Sequence, residues 1–78
     1  MKLFYNTKRS MKISLNGKEK EISVSNDTSI QQLLDSLGLA GKPVVVEHNK
    51  IAIFPRDYPS ICFKENDQIE IINIAAGG

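Results

Sequence analysis

The chain has 78 residues, enough for one small domain with a thin hydrophobic core. Its composition is ordinary for a globular domain, and its formal net charge of +1 creates no strong field for nucleic acid or an anionic membrane. A fold this small has little room for a deep ligand cavity, which typically needs ~300 Å³, so an independent enzyme is disfavoured. The single cysteine, Cys62, excludes a disulfide within the chain and favours the reducing cytoplasm.

The first residues differ in pattern from those that follow. We interpret residues 1–10 as an N-terminal extension, either mobile or forming a short added strand, because their polar end shows no period. From residue 11 to 15, apolar and polar side chains alternate as in a half-buried strand. Asn16-Gly17 then predicts a tight hairpin, since both positions tolerate positive φ, and the alternation over residues 21–25 predicts the returning strand.

A helix is predicted after this hairpin. Asn26, Asp27, Thr28 and Ser29 are all able to cap a helix, and Thr28 is followed three residues later by Gln31, as in a capping box. Apolar side chains recur at the spacing of one helical face, and Gly38 suits the left-handed position that ends a helix. We therefore expect a helix of about ten residues, a common length. Its apolar stripe comprises Ile30, Leu33, Leu34 and Leu37.

Three further strands complete the domain. They are expected at residues 44–48, 51–53 and 68–74, and the prolines at 55 and 59 predict a loop or a single helical turn between the last two. A hairpin, a crossover helix and further strands predict an α+β fold, with a mixed sheet of four to five strands and the final strand paired with the first. This is the ubiquitin-like β-grasp, which we assign to residues 11–74, with residues 75–78 as a flexible tail.

The candidate catalytic side chains are isolated from one another in the sequence. His48, the only histidine, ends a strand, where a structural role is favoured. Cys62 lies between two apolar residues and is expected to be a buried small hydrophobe. Asp57 and Glu65 occupy loops without a partner acid. The sequence shows no nucleophile–base pair, phosphate-binding loop or metal-ligand motif.

The C-terminal Gly77-Gly78 has no turn or cap to explain it, because it follows the last strand. Small polar tails are common, so two glycines alone are weak evidence. An α-carboxylate at a chain end can, however, be inserted into another protein's active site, and glycines let the backbone pass a narrow channel. We expect the Gly78 carboxylate to react and Gly77 to give access. Joined to AMP, this carboxylate would be a good acyl donor, and a sulfur nucleophile would leave a thiocarboxylate.

The last strand also predicts an apolar docking patch beside the tail. If Ile69 and Ile71 face the helix, the isoleucines at 72 and 74 face outward. The alternative is that Leu3, Phe4 and Tyr5 of the N-terminal extension cover this face. We assign to partner binding Ile72, Ile74, Val45 and Phe54, together with the tail residues Ala75 and Ala76.

Taken together, residues 11–78 resemble the ThiS/MoaD family of sulfur-carrier proteins, and its ThiS branch in particular. The resemblance implies a role in making the thiazole ring of thiamine. A ThiF-type enzyme would adenylate the Gly78 carboxylate with ATP and magnesium, and a cysteine desulfurase route would supply the sulfur. A ThiG-type thiazole synthase would receive it, so this chain would be a carrier that binds no cofactor itself. The matching segments are 11–17, 30–39, 44–49, Pro55-Arg56, 66–71 and Gly77-Gly78.

The chain departs from the family pattern in two places. Family members often begin near the position of Met11, and they often carry an aromatic residue and a third glycine where this chain has residues 74–76. Three other functions stay open: a MoaD-type carrier for molybdopterin, a ubiquitin-like modifier, and a binding module with an inert tail. The proline-containing C-terminal sequence that is usual in MoaD-type carriers is missing from this chain, which disfavours the first function. The lysines are scattered, which disfavours an RNA-binding module.

Overall fold

The structure is a computed structural model that describes residues 9–24 and 26–74. The interpretations placed on residues 1–8 and on the tail residues 75–78 lie outside this part of the chain. The elements are β1 (Arg9–Leu15), β2 (Lys18–Val24), α1 (Ile30–Ser36), β3 (Val44–His48), β4 (Ile51–Ile53), a 3₁₀ turn (Pro55–Asp57) and β5 (Gln68–Asn73). The first strand therefore begins two residues before the position expected from the sequence.

The strands form one five-stranded sheet in the order β2-β1-β5-β3-β4. β1 and β5 run parallel, whereas β1–β2, β3–β4 and β3–β5 are antiparallel. The last strand thus lies between the first and third strands, in the middle of the sheet. The predicted β-grasp, with a mixed sheet and one crossover helix, is confirmed.

The hydrophobic core lies between the helix and one face of the sheet. Ile13, Val46 and Ile69 project from three neighbouring strands and are almost completely buried, as is Ile30 on the helix. Alternation along each strand places every second side chain on this face, which is why the apolar periods in the sequence located the core. The buried apolar residues are Met11, Ile13, Val24, Ile30, Leu33, Leu34, Val46, Ile53, Tyr58, Phe63 and Ile69.

Two tight turns set the register of the hairpins. Asn16 and Gly17 have φ angles of 52° and 82°, and Asn49 and Lys50 have φ angles of 52° and 72°. Two consecutive positive φ angles are typical of the type I′ turn, whose twist matches that of paired strands. The turn at residues 16–17 is confirmed, and the β3–β4 turn has the same form.

The helix starts differently from the prediction. Ser29, not Thr28, is the N-cap residue, and its Oγ accepts the Gln32 N–H at 3.1 Å. Asp27 supports this cap, because its Oδ1 accepts the Ser29 N–H at 2.9 Å, and hydrogen bonds from the Ser29 backbone and side chain lower the pKa of Asp27. The expected capping box with Gln31 is therefore wrong, since several adjacent residues could cap and local pattern could not choose among them.

The helix ends at Gly38 as expected, although it is shorter than predicted. Gly38 has a φ angle of 75°, its N–H donates to the Asp35 carbonyl, and the Leu39 N–H donates to the Leu34 carbonyl at 2.8 Å. This is the Schellman arrangement of a helix C-terminus. Because both ends are capped inside the predicted range, the helix has 7 residues. No helix in the described part of the chain is long and apolar enough to cross a membrane.

Candidate docking face and C-terminal tail

The sheet holds the chain in place up to the tail. β5 ends at Asn73, and the Ile74 N–H donates to the Pro43 carbonyl at 2.9 Å, which extends the β3–β5 pairing by one step. The proposed tail residues Ala75, Ala76, Gly77 and Gly78 follow directly and lie outside the described residues. The predicted role of the Gly78 carboxylate therefore stays a prediction, while the surface beside it can be described.

Val45 and Ile72 are direct partners in the β3–β5 register. Their neighbours Val46 and Ile71 point to the core, and Val46 is completely buried. Successive side chains of a strand point to opposite faces, so Val45 and Ile72 share the outer face of the sheet. Ile72 is 48% exposed and Ile74 53% exposed. The outward orientation inferred from the sequence agrees with this geometry.

Phe54 extends this apolar surface across a third strand. It follows Ile53, the last residue of β4, which pairs with Val46, and its backbone is extended (φ −77°, ψ 145°), so a continued register would bring it opposite Val45. Its ring is 64% exposed, and the Arg56 guanidinium carbon lies 5.2 Å from the ring centroid, within cation–π distance. We call Ile72 and Val45, paired across β5 and β3, together with Phe54 just beyond the end of β4, the outer apolar row.

The alternative occupant of this face is the N-terminal extension. Leu3, Phe4 and Tyr5, which the sequence offers as a cover, lie outside the described residues, so this alternative stays a prediction. The first strand begins at Arg9, and its Leu15 pairs with Ile69 of β5 in a parallel ladder.

His48 and Asp67 form a structural clasp away from the tail. His48 Nε2 and Asp67 Oδ2 are 2.7 Å apart, and the same carboxylate oxygen accepts the Lys64 N–H at 2.9 Å. Burial of Asp67 would raise its pKa, but hydrogen bonds from His48, Lys64 and Asn49 and the charge of His48 outweigh burial, so the pKa lies below its ordinary value. The clasp ties the end of β3 to the residue before β5, which agrees with a structural role for His48.

The remaining candidate side chains do not converge on one point. Glu65 Oε2 accepts the Lys12 N–H at 3.3 Å, and Asp57 Oδ1 lies 3.5 Å from Arg56 Nε. No group of three or more histidine, cysteine or acidic residues in the described ranges could hold a metal ion. These acids therefore act in local structure at the surface.

Cys62 is exposed, so the prediction that it is buried is wrong. Ser29 and Cys62 form an isolated β-bridge, which shows that the chain is extended at this point. Phe63 is 3% exposed and fills the core position of that segment. Because side chains alternate in extended chain, a buried Phe63 places Cys62 on the outside.

One feature of the outer face was not predicted from the sequence. Glu47 and Glu70 are direct partners in the β3–β5 register, two pairs along from Val45 and Ile72 and therefore on the same face. The two carboxylates lie 23 residues apart in the sequence, so only the strand register brings them together. A regular alternation of each strand taken alone would place them outward, but it would not place them opposite each other.

The fold and this face define a β-grasp carrier-type domain with an apolar surface leading to its C-terminal tail. Residues 9–78 match the model of the ThiS family, and the chain belongs to that family. It is 39% identical over 67 residues to the sulfur carrier protein ThiS of Bacillus subtilis, covering 85% of this chain and 98% of that protein. The crystal structure of a thiamine biosynthesis protein (ThiS) from Geobacter metallireducens superposes with a TM-score of 0.74 at 25% identity, covering 87% of this chain and 100% of that one.

A second kind of relative is much longer. The thiazole synthase of Magnetococcus marinus is 37% identical over 68 residues, which are 87% of this chain but 20% of the synthase. The thiazole synthase of Paramagnetospirillum magneticum matches at 31% identity over the same share of its length. The chain therefore spans about a fifth of these two relatives, and in them a domain similar to it is part of a larger polypeptide.

Proposed function

We propose that this protein is the sulfur carrier of thiamine biosynthesis and that the Gly78 carboxylate carries the sulfur. The observation that supports this most strongly is the similarity to the Bacillus subtilis carrier over 98% of that protein's length. Ile72 of the outer apolar row and Ile74 follow β5 toward the tail, both exposed, and they would offer a partner enzyme an apolar surface next to the reacting group. The chain would act as carrier and substrate, and its partners would supply the catalytic groups.

The proposed chemistry takes place in two steps at one carboxyl carbon. The Gly78 carboxylate attacks the α-phosphorus of ATP, which forms an acyl adenylate and releases pyrophosphate. The terminal sulfur of a persulfide then attacks the acyl carbon and AMP leaves, which gives an acyl disulfide. A thiol attacks the donor sulfur of this acyl disulfide, so that the S–S bond breaks, the thiocarboxylate is released, and the donor is left in a disulfide with the thiol. ATP and magnesium would be bound by a ThiF-type activating enzyme, and a cysteine desulfurase would load the persulfide.

The residues next to Gly78 suit this role. Gly77 lacks a Cβ and permits backbone conformations closed to other residues, and Ala75 and Ala76 keep the tail narrow. The sheet up to Ile74 provides a rigid base, since Ile74 is still hydrogen-bonded to Pro43. A partner that contacts the base would have the tail directed toward its active site.

The acceptor of the sulfur would be a thiazole synthase of the ThiG type. Two thiazole synthases contain a segment similar to this chain, which supports a shared pathway. The carrier would deliver the thiocarboxylate sulfur to the thiazole being formed and be released with its Gly78 carboxylate restored. A MoaD-type role is less well supported, because the relatives described above are a sulfur carrier protein ThiS and two thiazole synthases.

The test is to express the chain with an untagged C-terminus together with its activating and sulfur-transfer enzymes, and to weigh the intact protein. Replacement of one oxygen by sulfur gives a characteristic mass increase, which deletion of Gly78 should abolish. The deletion should leave the far-ultraviolet circular dichroism and the unfolding midpoint unchanged, because residue 78 lies beyond the last strand pairing. An unmodified native protein under these conditions would refute the carrier function, and a lysine conjugate of Gly78 would favour a ubiquitin-like modifier.

A further inference from the structure

The Glu47–Glu70 pair is unfavourable in the isolated protein. The two residues are opposite one another on β3 and β5 and project from the outer face, Glu47 half-buried and Glu70 exposed. Directly opposed side chains in an antiparallel pair have Cβ atoms only about 5 Å apart, and like charges at this separation destabilise the sheet. A pair that costs stability beside a candidate docking surface calls for a role in binding.

No countercharge within the described ranges compensates this pair. Neither carboxylate forms a hydrogen bond or an ion pair there, and Lys12 on the same face pairs with Glu19 at 3.4 Å. Strand alternation places Glu21 on this face as well. The outer face of the sheet thus carries four glutamates and one lysine, and the further cation beside it, Arg56 at the Phe54 ring, is paired with Asp57 at 3.5 Å, although the whole chain has a net charge of +1. This surface is therefore acidic and is suited to a basic partner.

We propose that the outer apolar row and the Glu47–Glu70 pair form one docking surface for a thiazole synthase, which places a lysine or arginine between the two carboxylates. A guanidinium or ammonium group can donate to both carboxylates at once, and contact with the row would exclude water from these bonds. The apolar row would supply buried area, while the acidic pair would set orientation and speed association. This inference rests on the proposed function, since it names the surface used by the sulfur acceptor.

The two long relatives, both thiazole synthases, indicate which partner binds this surface. In two thiazole synthases, a segment similar to this chain belongs to the same polypeptide as the remaining four-fifths of the protein. Covalent linkage holds two modules at millimolar effective concentration and so compensates for a weak interface. Attraction between an acidic face and a basic partner is a further means of raising the association rate.

The proposal predicts opposite effects on the free protein and on the complex. Glu47→Gln and Glu70→Gln remove one like charge and keep the side chain's size, so the unfolding midpoint should stay the same or rise. The same substitutions remove a bond to the partner's cation, so binding should weaken. Substitution of a residue with a merely structural role would not raise the stability of the free protein and at the same time lower its affinity for the partner.

The experiment measures binding of the full chain to the purified thiazole synthase of the same organism by calorimetry at low and high salt. Glu47→Gln and Glu70→Gln should each raise Kd at least about tenfold at low salt, and the double variant should lose most of the salt dependence. Glu21→Gln, which removes the same charge from the same face at β2, is the matched control and should leave Kd within about twofold. Thermal unfolding of each variant gives the second measurement.

Two results would overturn the proposal. One is a double variant that binds the synthase as tightly as the native chain, which would place the contact elsewhere. The other is an equal loss of affinity in Glu21→Gln. That result would mean that Glu47 and Glu70 contribute only to the overall negative charge of the face and make no specific contact. Sulfur loading of Gly78, measured by intact mass, is independent of these affinities, so failure of the carrier function and failure of the docking surface are distinguishable.

Discussion

Replacing Ile72 by alanine separates a docking role from a core role, and Ile69 in the same strand provides the comparison. Ile69 is completely buried on the helix side of β5, whereas Ile72 is 48% exposed on the outer face. Both belong to the central strand and pair with β3, Ile69 opposite His48 and Ile72 opposite Val45, while Ile69 also pairs with Leu15 of β1. The two substitutions remove the same atoms from opposite faces.

The expected losses of stability follow from burial. Full burial of an isoleucine side chain is worth about 1.5–3 kcal/mol, and Ile72 has lost only about half of its accessible surface, so Ile72→Ala should lower the free energy of unfolding by about 1 kcal/mol. Ile69→Ala also leaves a cavity, and the cost should be about 2–5 kcal/mol. A domain of this size has a total stability of about 5 kcal/mol, so the difference between the two variants is large.

Urea unfolding followed by far-ultraviolet circular dichroism measures these values, provided that the dependence of free energy on urea stays the same in all variants. Calorimetric titration with the activating enzyme and with the thiazole synthase measures binding. Ile72→Ala should weaken at least one of these complexes about tenfold or more, as expected for an apolar side chain central to an interface. A loss of stability as large as that of Ile69→Ala, or unchanged binding to both enzymes, would refute the assignment of Ile72 to docking.

Two further predictions concern stability. The pKa of Asp67 is lower in the folded state than its ordinary value of 3.8, so its contribution to stability is present above that pH and is lost as the pH falls toward the folded-state value. Urea unfolding between pH 6 and pH 2 should show this loss for the native chain and a weaker one for Asp67→Asn, and equal slopes would contradict it. Ser29→Ala should lower the free energy of unfolding by about 1 kcal/mol, because it removes the helix cap, whereas Thr28→Ala should lower it less. The opposite ranking would show that Thr28 is the cap, as expected from the sequence.

The predictions that failed involve choices that local pattern leaves open. Residues 26–29 can all act as caps, and Ser29 is selected because the chain there bridges to Cys62 in an extended segment. The same bridge turns Cys62 outward and Phe63 inward, although the three apolar residues at 61–63 look alike in the sequence. In both places, a contact between distant segments decided the outcome.

The features of the candidate site also fall into those that depend on local pattern and those that depend on contacts between distant segments. The alternation of residues in β5 predicts that Ile72 and Ile74 face outward, and the glycines after the last strand indicate the proposed reacting end. The pairing of Val45 with Ile72 and of Glu47 with Glu70 depends on the β3–β5 register. A single sequence contains no direct measure of register between strands that are separated by loops.

The sequence by itself determined the order of the elements, the tight turn at Asn16-Gly17 and the end of the helix at Gly38, because each depends on neighbours within a few residues and on local φ preferences. The tertiary structure decided which side chains meet across strands, including the His48–Asp67 clasp, whose members are 19 residues apart. Such pairs form only when the sheet closes and buries one face. For that reason the proposed reacting end follows from residues that are adjacent in the sequence, while the acidic and apolar surface next to the tail is visible only in the folded sheet.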